Sequence, residues 1–168
     1  MEIKALESTT LSAINQLAQL DLPFAAATLC YVMIERCLKL YLLKNRITLA
    51  APEIDTCAWV GRGRKVRFED HRYDDEIDFV NGFLNEIPLG SLEIIFRVQN
   101  RRITVDRNRL IHSGFYLSLE KDMTSWDRQK RNWHHYATAA RHLQFCSTNC
   151  FKVPITFDEP SGQLSFVC

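Results

Sequence analysis

One apolar stretch, residues 24–43, most strongly limits what this chain can fold into. It is about as long as a membrane-spanning helix, but Glu35, Arg36 and Lys39 lie near its middle, and charged groups are costly inside a bilayer. Its apolar residues point in almost every direction around a helix, which is typical of a helix surrounded by others. The sequence therefore predicts a core helix from about Pro23 to Lys44.

The composition places the chain among globular proteins with a balanced charge. It has 168 residues, 46% of them hydrophobic, and a formal net charge of +1 from 21 basic and 20 acidic groups. Proteins that bind duplex nucleic acid through bulk electrostatics are usually more basic, so any contact with nucleic acid must be local. Cys30 and Cys37 lie inside the apolar stretch, which favours reduced, buried thiols and predicts a cytoplasmic location without membrane contact.

Further helices are predicted where apolar residues recur every three or four positions. They are a first helix with cap candidates at Ser8–Thr10, a stripe from Ile77 to Ile87, a helix capped by Ser91 that runs through Arg102, and a final helix from Asp122 or Thr124 to about Cys146. The periodicity is lost after Cys150, and a turn-forming segment lies at 158–162. The predicted fold is all-α: an up-and-down bundle of four to five helices over residues 1–150, with a short β-like tail over 151–168.

Several polar groups admit two interpretations. The basic segment 61–65 lacks the phosphate-loop pattern and is either a solvated loop or an RNA-backbone contact. The acidic run 69–78 either binds Mg²⁺ or enriches the first turn of a helix, and the helical interpretation is favoured. Five residues resemble zinc ligands, but no paired Cys-x2-Cys accompanies them, so packing and surface positions are favoured. These are His134, His135, His142, Cys146 and Cys150.

Glu35 and Lys39 are spaced four residues apart in the central helix. This spacing predicts an intrahelical ion pair. The alternative is that Glu35 reaches another helix and fixes an arginine or a histidine there. Neither interpretation requires a metal, and no metal or cofactor is expected for the chain.

The segment 107–112 carries the strongest candidate for chemistry. Asn108 and His112 are four residues apart and lie on one face of a helix, whereas Arg107 lies off that face and reaches it only by its flexible side chain. A five-donor guanidinium beside an imidazole that titrates near neutrality suits a phosphate group. Arginines surround this segment: residues 97–109 contain five of them and a single acid, Asp106.

The pattern Arg107-Asn108-x3-His112 resembles the Arg-x4–6-His signature of HEPN domains. The helix from Ala25 to Asn45, with polar Tyr31 inside it, is similar to the long second helix of that family, and the resemblance covers roughly residues 6–150. The resemblance implies a metal-independent endoribonuclease that uses the RNA 2′-hydroxyl as its nucleophile.

The resemblance also implies roles for individual residues. His112 would act as general base or would orient the 2′-hydroxyl, and Arg107 would stabilise charge on the phosphoryl oxygens. Asn108 would orient His112 or the phosphate. The substrate-binding candidates are Arg101, Arg102, Arg109 and Tyr116. HEPN-like domains pair so that two motifs line one cleft, and the resemblance therefore implies a homodimer with a composite active site. It also implies RNA as a partner, together with an antitoxin or a defence-system protein.

Two other functions remain open at this stage. One is a non-catalytic HEPN-like binding or scaffolding subunit in which Arg107 and His112 make structural hydrogen bonds. The other is a toxin whose antitoxin, a nucleotidyltransferase, modifies a tyrosine two residues after the histidine. Gly114 stands at that position here, with Tyr116 two residues further on.

Overall fold

The structure is a computed structural model that describes residues 3–45, 88–98, 102–117, 124–151 and 154–167. The helices are α1 (Ile3–Gln19), α2 (Pro23–Asn45), α3 (Leu89–Ile95), α4 (Arg102–Leu117) and α5 (Ser125–Cys150), and the strands are β1 (Ile155–Asp158) and β2 (Gln163–Phe166). The described part of the chain is mostly helical with one antiparallel hairpin, as predicted at the level of fold class. The basic segment 61–65, the acidic run 69–78 and the predicted stripe from Ile77 to Ile87 lie outside it.

Helix α2 occupies the centre of the fold, as its apolar sequence predicts. It packs against α1, α3, α4 and α5, and most extensively against α5. Fully buried side chains from all five helices meet around it, and their removal from water is the main stabilising contribution. They include Ile14, Ile34, Leu38, Leu92, Ile103, Leu110 and Leu143. No described helix is both long and apolar enough to cross a membrane.

The connection between α1 and α2 is a tight helix end built on Asp21. Its φ of 58° is left-handed, and the Leu22 N–H donates to the Leu17 carbonyl at 2.9 Å, which is the Schellman arrangement usually completed by glycine. The Asp21 carboxylate accepts hydrogen bonds from the Trp133 indole N–H at 3.0 Å and from the Gln129 amide. These bonds to α5 offset the conformational cost of a non-glycine residue.

The ends of the first and last helices differ in part from the prediction. Helix α1 begins at Ile3, so the predicted cap residues Ser8–Thr10 lie inside it. At the start of α5 the prediction of Thr124 is confirmed, because its hydroxyl accepts the Asp127 N–H at 3.1 Å. Helix α5 continues to Cys150 rather than ending near Cys146, since its buried face extends to Ser147.

The predicted long helix from Ser91 through Arg102 is wrong. Helix α3 begins before Ser91 and ends at Ile95, and Arg97 then takes a left-handed φ of 54°. The Val98 N–H donates to the Glu93 carbonyl at 2.8 Å, which closes a second Schellman-type end. Val98 is buried at the end of this turn. As a result, α4 starts afresh at Arg102.

The C-terminal hairpin is attached to the helices through its edges. Strand β1 pairs with β2 from Ile155↔Phe166 to Asp158↔Gln163. On the β1 edge, the N–H groups of residues 155 and 157 donate to side chains of α5, Ser147 Oγ at 2.8 Å and Gln144 Oε1 at 2.7 Å. Capping these groups prevents the edge from pairing with another chain.

The β2 edge is capped by one side chain of α1. Asn15 Nδ2 donates to the Leu164 carbonyl at 2.7 Å, and Asn15 Oδ1 accepts the Leu164 N–H at 2.9 Å. The turn between the strands is held by the Tyr136 hydroxyl, which donates to the Gly162 carbonyl at 2.6 Å. Gly162 has a φ of 68° and faces the Trp133 ring, so a side chain there would be strained by the left-handed backbone. Ile155 and Leu164 are consequently part of the core.

The substitution Asn15→Ala is expected to lower the free energy of unfolding by about 1–3 kcal/mol, because the donor and the acceptor of Leu164 would both lose their partner. Chemical denaturation would measure the loss. Gln16→Ala is the control, since Gln16 is an exposed neighbour on the same helix whose side-chain amide, among the described residues, bonds only to Ser12, at 3.5 Å. Equal effects of the two substitutions would show that Asn15 does not hold the hairpin.

Candidate functional site

Helix α4 carries the predicted site, and a buried glutamate of α3 fixes its start. The Glu93 carboxylate accepts the Ile103 N–H at 2.8 Å and the Thr104 N–H at 3.1 Å, and it also binds the Thr104 hydroxyl. An acid at a helix N-terminus satisfies backbone donors and interacts favourably with the helix dipole. Helix α4 already begins at Arg102, so Thr104 and Asp106, whose side chains are of the types that often start helices, lie inside it.

The buried face of α4 sets the direction of the motif. Ile103 and Leu110, seven residues apart, are buried against the core. Asn108 and His112 are exposed on the opposite side, and Arg107 is half-buried. The structure therefore confirms that Asn108 and His112 share a face and that Arg107 lies off it.

Arg107 and His112 do not converge within one copy of α4. Five residues correspond to a rotation of about 140° around the helix. The side chains of Arg107, Asn108 and His112 form no hydrogen bond or ion pair with the part of the chain that the structure describes. A phosphate would have to be met by the Arg107 side chain swinging outward or by a second copy of the helix.

The exposed face around His112 is partly apolar. Val105 is 46% exposed and Ile111 48% exposed, and in the helical projection Val105 lies beside His112 and Ile111 beside Asn108. Large apolar side chains exposed on the same surface as candidate catalytic groups are typical of a contact surface. This surface of α4 therefore carries candidate catalytic groups together with exposed apolar side chains.

The predicted substrate-binding residues are described to different extents. Arg102 is exposed at the first position of α4. Arg109 is exposed, and its Nη1 lies 3.5 Å from Asp106 Oδ1, so its charge is partly compensated within the helix. Arg101 and the side chain of Tyr116 lie outside what the structure describes.

Asp106 is the acid at the centre of this region. Its Oδ2 accepts a hydrogen bond from His142 Nε2 of α5 at 2.8 Å. The ring of His142 in turn lies 6.3 Å from the ring of Tyr31 on α2. Burial raises the pKa of the Tyr31 hydroxyl, and the nearby Asp106 carboxylate raises it further. The cluster therefore joins α2, α4 and α5 beneath the motif.

His135 lies seven residues, or about two turns, before His142 on α5 and is half-buried near Asp106. Its burial lowers its pKa, and His134 and Arg131 lower it further, whereas Asp106 opposes them. A lowered pKa keeps the imidazole neutral near neutral pH.

Two of the alternatives raised by the sequence, the role of Glu35 and the zinc-like residues, fall within the described residues. Glu35 accepts a hydrogen bond from Lys39 Nζ at 2.8 Å, which confirms the intrahelical ion pair. Cys146 is buried, and its burial raises the pKa of its thiol. Within the described ranges no three histidine, cysteine or acidic side chains are grouped as metal ligands.

Sequence reasoning missed three residues that shape the site: Glu93, Asp106 and His142. A histidine on the buried stripe of α5 is a usable signal, because a buried imidazole needs a hydrogen-bond partner. The identity of that partner, 36 residues away, is not encoded locally. The same holds for Glu93, whose partners lie 10 and 11 residues further on.

No protein-family model, curated protein or solved structure matches this chain. The likeness to HEPN domains therefore rests on the motif at residues 107–112 and on the sequence of the second helix.

Proposed function

We propose that the chain is a metal-independent endoribonuclease of HEPN type, built as a helical bundle and active in the cytoplasm as an effector of bacterial defence or of a toxin–antitoxin pair. The observation that supports this most is the outer face of α4. It presents Asn108 and His112 without partners in the described chain, beside the half-buried Arg107. Exposed polar groups that the protein leaves unpaired are available to a substrate, whereas buried structural ones are usually bonded.

The proposed reaction needs only groups that these residues supply. His112 accepts the proton of the RNA 2′-hydroxyl, and the 2′-oxygen attacks the adjacent phosphorus. Arg107 stabilises the charge that builds on the phosphoryl oxygens, and Asn108 orients the imidazole or the phosphate. The P–O5′ bond breaks, the 5′-oxygen takes up a proton, and the products are a 2′,3′-cyclic phosphate and a 5′-hydroxyl.

The direct test of the mechanism is RNA digestion by the purified protein in EDTA. Cleavage is expected to persist, and the 5′ fragments are expected to end in a 2′,3′-cyclic phosphate, because neither the nucleophile nor the charge stabilisation requires a metal. A matched RNA with one 2′-deoxy nucleotide at the cut site is the control substrate and should stay intact. Cleavage of the 2′-deoxy substrate would rule out the proposed reaction. Loss of cleavage of the unmodified RNA in EDTA would rule it out as well.

A homodimer would bring the separated groups together. The rotation of about 140° between Arg107 and His112 prevents a compact site on one helix, and in the proposed dimer a second copy of α4 at the two-fold axis supplies the missing group. The exposed Val105 and Ile111 would be buried in such an interface. The dimer is thus the simplest assembly in which both proposed catalytic groups reach one phosphate.

Light scattering is expected to show a dimer at micromolar concentration. The substitution Ile111→Asp should shift the protein towards monomer, because it places two carboxylates in an apolar contact. Val167→Asp serves as control, since Val167 is equally exposed but belongs to the hairpin end. A wild-type protein that stays monomeric would argue against the composite site.

A non-catalytic HEPN-like binding subunit is the second candidate. It is favoured by the same separation of Arg107 and His112 around α4, which leaves no complete site on a single chain. In that case the RNA digestion would fail while Ile111→Asp would still abolish association with a partner. The RNA digestion therefore separates the two functions.

A further inference from the structure

The bond between His142 and Asp106 is a polar connection between two helices in otherwise apolar surroundings. The side chain of His142 is 7% exposed and that of Asp106 15% exposed. The neighbours of His142 on the buried face of α5 are Ala139, Leu143 and Cys146. A buried imidazole and carboxylate held at 2.8 Å stabilise each other, and each would be costly to leave alone.

The two oxygens of Asp106 face in different directions. Oδ2 accepts from the buried His142, whereas Oδ1 lies 3.5 Å from Nη1 of Arg109, whose side chain is 72% exposed. A single carboxylate therefore links the interior of the protein to a cation on the outer face of α4. Asp106 also directly precedes Arg107, so any rotation of the helix that releases Asp106 also turns Arg107.

We propose that His142 is a positioning residue for the ribonuclease site. By holding Asp106 it fixes the rotation of α4 against α5, and so the direction in which Arg107, Arg109 and His112 meet an RNA phosphate. His142 itself is too buried to touch substrate. This inference rests on the proposed function and extends it to a residue that lies outside the motif.

Glu93 and His142 hold α4 in complementary ways. Glu93 binds the first backbone N–H groups and so fixes where the helix begins, but backbone capping leaves rotation of the later turns to packing. His142 acts on a side chain one turn further on. A displacement of reacting groups by about 1 Å is enough to slow catalysis roughly 10²-fold, so loss of this second bond is expected to show in the rate.

The experiment compares His142→Leu with His142→Gln. Leucine fills the site without a hydrogen bond, whereas the glutamine amide reaches about as far as Nε2 and can donate to Asp106. Under conditions in which circular dichroism shows every variant folded, single-turnover RNA cleavage by His142→Leu is expected to fall by about 10–100-fold, with the Kd for RNA little changed. His142→Gln is expected to recover most of the rate, which a purely structural role would not require.

The control is His134→Leu, the same substitution at an exposed histidine of α5. It is expected to cleave at the wild-type rate. If His142→Leu does not fold, His142→Asn takes its place, because its shorter amide stays polar but stops short of Asp106. In either case the inference is overturned if a folded variant that lacks the hydrogen bond to Asp106 still cleaves RNA at the wild-type rate. The proposed function would then still stand.

A second readout keeps the inference testable if the wild-type protein does not cleave RNA, a result that would refute the proposed function instead. Amide hydrogen exchange of residues 107–112 is expected to be faster in His142→Leu and to return towards the wild-type rate in His142→Gln, while α2 stays unchanged. Unchanged exchange in α4 would show that His142 does not position the helix.

Discussion

His112→Ala is expected to reduce RNA cleavage by roughly 10²–10⁴-fold, the usual contribution of a positioned proton-transfer group. The fold should be unaffected, because the side chain is exposed and forms no hydrogen bond with the described residues. Cleavage rates and the thermal unfolding midpoint would be measured on the same preparation. His134→Ala, at an exposed histidine of α5, is the control and should retain full activity.

Substitutions of the neighbouring arginines separate catalysis from binding in the same assay. Arg107→Ala is expected to be about as severe as loss of the histidine, and Arg107→Lys should recover only part of the rate, since an ammonium cannot form the bidentate phosphate contact. Arg102→Ala should instead weaken RNA binding and reduce its dependence on salt. Retention of full cleavage by both His112→Ala and Arg107→Ala would exclude the motif as the active site.

Glu93→Ala is expected to lower the free energy of unfolding by about 3–5 kcal/mol. The substitution removes a buried carboxylate and leaves the N–H groups of Ile103 and Thr104 and the Thr104 hydroxyl without their acceptor. Urea denaturation followed by circular dichroism would give the value.

Glu159→Ala is the matched control for Glu93→Ala. Glu159 forms an ion pair with Arg141, but its side chain is 57% exposed, and ion pairs at such positions contribute little. A loss for Glu93→Ala no larger than that for Glu159→Ala would mean that the start of α4 is held by packing alone.

Helices α1, α2 and α5 were predictable, because the apolar periodicity that indicates them is local information. Thr124 and Pro23 mark helix starts by their own chemistry, and both lie where the sequence predicts. The end of α3 was not predictable, because the residue that adopts the left-handed conformation is Arg97 rather than a glycine. The next residue, Val98, is buried in the core, and a tertiary contact of this kind has no local sequence signal.

The candidate site likewise has a part that was predictable from the sequence and a part that was not. The shared face of Asn108 and His112 follows from helical geometry and is seen in the structure. The residues beneath it do not follow from any local pattern, since the bond between Asp106 and His142 depends on how α4 packs on α5. Long-range polar contacts of this kind are decided only once the helices have assembled.

The pairing of Asn15 with Leu164 has a consequence for the order in which the protein folds. The two residues are 149 positions apart, so the contact cannot form until residue 164 has left the ribosome. Helices α1, α2 and α5 can associate earlier, but the surfaces that receive Ile155 and Leu164 stay open until then. Distant contacts of this kind form slowly and leave apolar surface exposed meanwhile. During synthesis the nascent chain therefore keeps this part of its apolar surface exposed until the hairpin docks.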